Sequence, residues 1–540
     1  MDQIYFNGKI LTMSEKTAED AVSRAPEAVL VRDGIIRALG MLNEVEQESD
    51  GDACKVDLQG RCLMPSFIDS HGHFVMNGQM SVCADLSTCE SYDDIIRVLK
   101  QYIEKNKITE KEVVIGFGYD HNFLAEEGQP DKRVLDQVSR EIPILAMHVS
   151  GHLACVNSAA LALAGIDEKT PEPNGGVIGR LGTNNEPSGY LEEAGMLAVQ
   201  QAVASRIKVD FAGIVQGMQK TYIENGVTTV QDGATSEADI KTLLAMSAGG
   251  QLKIDVVAYP LMPSGGKKIM EENREIWGTY CQRLKIGGYK LVLDGSPQGG
   301  SAWMTEPYLG GEEGYCGYPW MPDEEVQAYV RQAVEERRQL LVHCNGDAAG
   351  DQFLNAYEKA VEETKPEEDL RPVMIHCQTV RNDQLDRMAR LKMIASIFVG
   401  HVWYWGDIHM KNFGPVRGNH ISPVKDAMDR GLIVNFHQDA PVTKPNMLHS
   451  VWCAVNRISR KGAAIGEDQK ISVYDALKAV TINAAYEYFE EDSKGTISVG
   501  KRADLVVLDQ SPLEVEPEEV KNIRVMETIK DGISIYQFGR

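Results

Sequence analysis

The feature that most restricts the fold of this chain is a series of short β-branched runs, each parted from the next by enough sequence for a helix. The runs are "SFIDSHGH" (66–73), "TTVQDG" (228–233), "KIDVVAYP" (253–260), "YKLVLDG" (289–295), "LLVHCNG" (340–346), "PVMIHCQ" (372–378), "IASIFVGH" (394–401) and "LIVNFHQD" (432–439). Segments between them, such as "DEEVQAYVRQAVEERRQ" (323–339), carry apolar residues at helical spacing. Repeated strand–helix alternation predicts a parallel sheet, and eight strands predict an α/β fold built on a closed (β/α)₈ TIM-like barrel.

The chain ends read differently. "QIYFNGKILTM" and "AVLVRDGIIRALG" near the start, and "VMETIKDGISIYQFG" near the end, are paired β-runs around Asn7-Gly8, Asp33-Gly34 and Asp531-Gly532. Each dipeptide is a hairpin signal. At 540 residues the chain exceeds what a single core supports. The expected organisation is a β-sandwich domain from residues 1–64 plus 485–540, and a barrel from 65–84 plus 216–484. The span between His73 and Thr228 is too long for a bare loop, so 85–215 is expected to be an inserted α/β subdomain over the barrel mouth.

In such barrels the carboxyl ends of the strands build the active site. Five of the eight runs place a candidate there: His71 and His73, Lys290, His343, His376 and Asp439. In a strand, Asp69, His71 and His73 would share one face. Cys344 and Cys377 would point away from their histidine neighbours and serve packing. Taken singly, a histidine inside an apolar strand is more often a hydrogen-bonded core residue, and Asp439 before Ala-Pro could open a turn. Five such coincidences at one end of one barrel favour a metal centre. Imidazole and carboxylate suit zinc and related divalent ions. Such an ion makes hydroxide available near neutral pH, with Asp439 as the catalytic proton carrier.

Composition narrows the partners. The formal charge of −24 disfavours nucleic acid and anionic membranes. No apolar stretch is long enough to span a bilayer. "MDQIYFNGKILTM" has neither a basic start nor an apolar signal core, and ten cysteines form no CxxC pair. A cytoplasmic enzyme of a small molecule is expected.

The His-x-His after an apolar strand, with Lys290, His343, His376 and Asp439, resembles the metal set of the amidohydrolase superfamily. "GVTTVQDGA", "LVLDGSPQGGSAWMTEPY", "LVHCNGDAAGDQFLNAYE", "HQDAPV" and "GKRADLVVLD" are similar to its YtcJ-like branch, which includes N-substituted formamide deformylases. The resemblance covers nearly the whole chain. It implies a barrel, a two-ended β-sandwich and an insert, with metal-dependent hydrolysis of an amide-type C–N bond in an N-substituted formamide or N-acyl amine. It also implies that Lys290 can be carboxylated and bridge two ions; one or two ions, zinc first, are expected.

Many members of the branch carry Gly-Ser-Asp where this chain has His437-Gln438-Asp439, so His437 is a candidate for substrate contact or for competition as a ligand. "GHVWYWGDIH" adds His401 and Trp403, "GFGYDHNF" adds Tyr119, and His152 resembles a substrate-contacting position. Trp303 follows the fourth run and could line an apolar pocket. Loop or core packing competes with substrate contact for each of these. Deamination or ester and lactone hydrolysis on the same scaffold, and a non-catalytic metal-binding or regulatory protein, are the alternative functions. An aromatic loop on the insert would suit a homodimer contact.

Overall fold

The computed structural model describes residues 2–151, 153–173, 176–207, 211–310 and 312–539. The chain divides into two compact units: Met1–Val75 with Gln219–Arg540, and Met76–Met218.

Nine short parallel strands form the centre of the larger unit. β1 (Phe67–Ile68), β2 (Val227–Thr235), β3 (Asp255–Pro260) and β4 (Leu284–Ile286) make one sheet in that order. β5 (Gly288–Val292), β6 (Gln339–Cys344), β7 (Val373–His376), β8 (Ile394–Ile397) and β9 (Ile433–Phe436) make a second. Among the described residues no ladder closes the two sheets into the single expected barrel. At Gly287-Gly288 the chain steps from one sheet to the other, where a Cβ would lie 2.5 Å from the Tyr259 ring and 2.2 Å from the Gln339 carbonyl oxygen respectively. A single bridge, Leu261 to Lys290, links the sheets on this side. On the other side, Ser70 Oγ donates to the Phe436 carbonyl at 2.9 Å.

Helices Asp323–Glu335 and Asp347–Thr364 flank β6 and bury their apolar faces, the first through Val326, Val330 and Val334, the second through Phe353, Leu354 and Tyr357. The four residues Leu340, Leu341, Val342 and Cys344 of β6 are also buried. A strand covered on both faces reads as a continuous apolar run rather than an alternation. His343 is therefore conspicuous within it.

The two chain ends supply two further sheets. Ile35–Gly40, Ala28–Arg32, Gln3–Phe6 and Cys54–Asp57 form one; Lys9–Ile10, Cys62–Pro65, Leu505–Leu508, Val525–Lys530 and Ile533–Gln537 form the other. Tyr5, Val29 and Val31 of the first share a buried cluster with Leu63, Leu505, Val507 and Ile529 of the second. Asp33-Gly34 and Asp531-Gly532 turn with both residues at positive φ, the geometry that two-residue hairpins favour. Asn7-Gly8 does not make the expected hairpin, because the strands on its two sides belong to different sheets. Asn7 Nδ2 donates to Asp57 Oδ1 at 2.7 Å, and a Cβ on Gly8 would sit 2.5 Å from the Arg61 carbonyl oxygen. The dipeptide is a crossover held by its neighbours.

A buried charge network joins β3 to the C-terminal sequence. Lys494 Nζ lies 2.7 Å from Asp255 and 2.6 Å from Glu490, Lys285 Nζ 2.5 Å from Glu490, and Lys530 Nζ 2.6 Å from both Asp255 and Asp504. Burial pushes the Glu490 carboxyl up, but Lys494 and Lys285 outweigh it and bring it down to about 2 from an ordinary 4.5. The same balance, with Lys494 and Lys530 dominant, holds Asp255 below the usual carboxylate range. A carboxylate depressed by folding adds stability that is complete above its unfolded value and is lost as pH falls through the folded one. The urea midpoint should therefore drop steeply between pH 4.5 and pH 2, the interval set by Glu490. Replacing Glu490 with glutamine should flatten that decline, as a pH series of denaturation curves would record.

The smaller unit holds a six-stranded mixed sheet, ordered Gly176–Leu181, Glu186–Glu193, Leu153–Val156, Ile144–His148, Val114–Tyr119 and Ala84–Asp85. Helix Tyr92–Asn106 begins at Ser91, whose side chain accepts from the Asp94 main-chain N–H, and buries Ile95 and Leu99 in the core of this unit. Among the described residues no helix is long and apolar enough to cross a membrane.

Candidate active site

The strand ends of the larger unit gather the imidazoles. His71 and His73 follow β1, His343 is the penultimate residue of β6, His376 ends β7, and His437 and Asp439 follow β9. His71, His376 and Asp439 present ligand-type atoms within 4.8 Å of one another. His73 Nε2 is 3.3 Å from Asp439 Oδ1, and His71 Nε2 is 3.5 Å from the same oxygen. The His343 ring lies edge-on to His376 with centroids 4.5 Å apart. Lys290 is buried in β5 with Nζ 3.4 Å from His71 Nε2.

Each ring is held by its inner nitrogen. His71 Nδ1 lies 2.5 Å from Gln231 Oε1, His73 Nδ1 2.7 Å from the Gly233 carbonyl, and His343 Nδ1 3.2 Å from Asp294 Oδ1. An oxygen that can only accept makes each Nδ1 the donor, which leaves the lone pair on Nε2; that of His343 faces Asn345 Nδ2 at 3.2 Å and that of His71 faces Lys290 Nζ at 3.4 Å. His376 Nδ1 instead meets His437 Nε2 at 3.1 Å, and His437 Nδ1 meets Ser396 Oγ at 3.0 Å. Fixing one ring nitrogen while exposing the other is how metal-ligating histidines are oriented. Gly233 is required beside His71, since a Cβ there would approach His71 Cε1 to 2.7 Å.

The electrostatics favour neutral rings at His71, His376 and His437, whereas at His73 burial lowers the ring but the Asp439 carboxylate outweighs it and raises it. Burial, with Lys290 next in weight, depresses His71, and burial with the neighbouring His343 depresses His376. His437 falls to about 3, chiefly by burial. Burial acts to raise the Asp439 carboxyl, yet His73 and the adjacent imidazoles bring it below the ordinary range. Asp439 Oδ1 is buried and accepts no hydrogen bond within normal limits. Buried carboxylate oxygens are rarely left so; neutral nitrogen donors around an ionised, under-satisfied oxygen fit a divalent cation. Backbone strain accompanies this geometry, with His376 at φ 77° and Asp439 at φ 53°, each of which costs on the order of 1–3 kcal/mol in a non-glycine residue.

Asp69 departs from the expected shared face. The strand ends at Ile68, so alternation no longer applies. Its Oδ1 accepts from the His71 main-chain N–H at 3.3 Å, and burial raises its carboxyl well above the usual range. Of the other candidates, His437 is fully buried against His376. His401 is buried between Phe398 and Trp405 and pairs through Nδ1 with His409 Nε2 at 3.1 Å. Trp403 packs on Tyr404 and His449. Trp303 is half-buried, its main-chain N–H donating to Asp294 Oδ2 at 3.0 Å. Tyr119 lies in the core of the smaller unit, its hydroxyl 2.8 Å from Gln129 Oε1 and 3.3 Å from Cys155 Sγ. His152 lies outside the described residues.

The orienting residues were not singled out in the sequence. Asp294 is a hub that also accepts the main-chain N–H groups of Asn345 and Gly346 at 3.0 and 2.7 Å. Gln231 donates to the Ser70 carbonyl at 2.7 Å while holding His71. Such partners typically contribute 10- to 100-fold to metal affinity or activity. Replacing Gln231 with leucine should weaken metal binding by about that factor, as competition with a chromogenic chelator would measure.

A parallel α/β scaffold whose strand ends gather oriented, neutral imidazoles around a buried carboxylate defines a protein built to hold a divalent cation. The amidohydrolase family model matches residues 55–536, and the chain belongs to that family. It is an amidohydrolase, an enzyme of the class that hydrolyses non-peptide carbon–nitrogen bonds. It is 26% identical to the amidohydrolase YtcJ of Bacillus subtilis over 99% of this chain and 100% of that one. It is likewise 26% identical to an N-substituted formamide deformylase of Arthrobacter pascens, over 96% of each chain. Its fold is shared with a metal-dependent hydrolase of Pyrococcus horikoshii at a TM-score of 0.75 and 23% identity, covering 96% of this chain and 99% of that one.

Proposed function

We propose that the chain hydrolyses an amide-type C–N bond of a small molecule, an N-substituted formamide or N-acyl amine, with a divalent metal held by His71, His73, His343, His376 and Asp439. The observation that carries this reading is that the Gln231, Gly233 and Asp294 contacts take up Nδ1 of His71, His73 and His343 and leave each lone pair on Nε2. Zinc is the metal this donor set suits first. When bound, the ion supplies Lewis acidity, polarising the carbonyl and lowering the pKa of water toward about 7. In this reading the two parallel sheets are parts of one (β/α)₈ barrel, with Leu284–Ile286 and Gly288–Val292 counted as a single interrupted strand, and the shared fold supports it.

The protein groups carry the proton. Asp439 takes one proton from the attacking water and returns it to the departing nitrogen, so that water and amide become acid and amine. His437 acts through His376 by fixing its ring. Lys290, pushed down to about 8 by burial, can offer a neutral amine to carbon dioxide; carboxylation replaces one N–H with a carbamate and releases a proton. A labelled-bicarbonate NMR spectrum would reveal that carbamate. Trp303, His401 and Trp403 are the residues this reading assigns to the apolar substituent of the substrate.

The test is amine release from a panel of N-substituted formamides and N-acyl amines, by metal-stripped protein and by protein resupplied with zinc or manganese. Turnover restored by metal is expected. Absence of turnover on every amide, with metal tightly bound, would overturn the amide assignment and leave the metal centre standing.

A further inference from the structure

A second set of metal-type donors lies in the smaller unit. Strands Val114–Tyr119 and Ile144–His148 run parallel, but their register slips between Met147 and His148, so that His148 pairs with Tyr119. Gly118 takes up the slip at φ 101°. Bulges of this kind re-aim the side chains that follow them, and here they bring Asp120 and His121 to His148. His121 Nδ1 is 3.1 Å from His148 Nε2, and Asp120 Oδ1 is 3.5 Å from His148 Nε2 and 3.7 Å from His121 Nδ1.

We propose that Asp120, His121 and His148 form a further divalent-metal site, for an ion of the zinc class. The distances carry it: a tetrahedral ion with bonds of about 2.0–2.1 Å sets neighbouring ligand atoms about 3.3 Å apart, and the three separations bracket that value. Two imidazoles and a carboxylate are also the donor set of zinc centres that keep a fourth position open. His148 and Asp120 are buried, whereas His121 is 28% exposed and gives the ion a way in. The surrounding contacts can support the load. Asn122 donates its main-chain N–H and its Nδ2 to Asp120 Oδ1 at 2.9 Å each, which fixes the carboxylate. His148 Nδ1 lies 2.9 Å from Ser150 Oγ and accepts the Ser150 main-chain N–H at 3.1 Å, so the ring proton sits on Nε2 and is displaced when the ion binds there. Proton movement of this kind accompanies metal binding to imidazole.

The test uses the full-length chain with the strand-end centre disabled by His71→Ala and Asp439→Ala, so that the two sites are read separately. After dialysis against micromolar free zinc, this variant should retain one zinc equivalent by elemental analysis. Adding His121→Ala and His148→Gln should remove it. No retained zinc, or zinc that survives the second pair of substitutions, would overturn the proposal. His148 is packed in the unit's interior, so the partly exposed His121→Ala is also made alone. It should raise the zinc Kd at least about tenfold, and an unchanged Kd would refute the site equally.

Discussion

Replacing Asp439 with asparagine should lower kcat by on the order of 10²–10⁴-fold, the usual contribution of a positioned proton carrier. Asparagine keeps the shape of the side chain, so packing changes little. What it loses is the negative oxygen between His71 and His73, at 3.5 and 3.3 Å, and any capacity to accept a proton. The backbone at Asp439 is already held in the left-handed region, which asparagine tolerates better than most residues with a side chain. An unchanged melting temperature beside a collapsed kcat would separate chemistry from folding. A KM that moves while kcat holds would argue that Asp439 contacts substrate without handling its proton.

Replacing Lys494 with methionine should destabilise the larger unit by about 3–5 kcal/mol, as expected when one partner of a buried ion network is removed. Lys494 is the node of that network. It neutralises Asp255 and Glu490 together and donates to Thr229 Oγ1 of β2 at 3.0 Å. Lys530 and Lys285 would each remain with one of the two carboxylates, which limits the loss but leaves an excess of buried negative charge. Urea denaturation at neutral pH measures the effect. A change below about 1 kcal/mol would place Lys494 among ordinary surface ion pairs.

Histidines were legible because they interrupt apolar runs. In "LLVHCNG" and "VMIHC", continuous hydrophobicity marks a doubly covered strand, and a polar residue near its end needs a reason. The structure gathers His71, His376 and Asp439 at such ends. The partners that orient them were not legible, because they come from other strands: Gln231 is 160 residues from His71, and Asp294 is 49 from His343. No local period encodes that proximity.

The alternation argument failed where its premise did. Asp69 lies one residue past the end of β1, so its side chain turns back to main-chain N–H groups. At Asn7-Gly8 the dipeptide carries the same turn preference as Asp33-Gly34, yet distant partners decide the outcome. Asp57 and Arg61 draw the two flanks into separate sheets. Similarly, eight β-runs gave the strand count of a barrel, but the close approaches of Gly287 to the Tyr259 ring and of Gly288 to the Gln339 carbonyl, where the two sheets meet, depend on residues distant in sequence.

The most direct measurement is metal content and amide hydrolysis followed on the same sample while apoprotein is titrated with zinc. The account predicts an inactive apoprotein, with activity rising in proportion to the zinc retained by the strand-end histidines and absent from His71→Ala at equal protein concentration. Full activity in metal-free protein, or in His71→Ala, would contradict it.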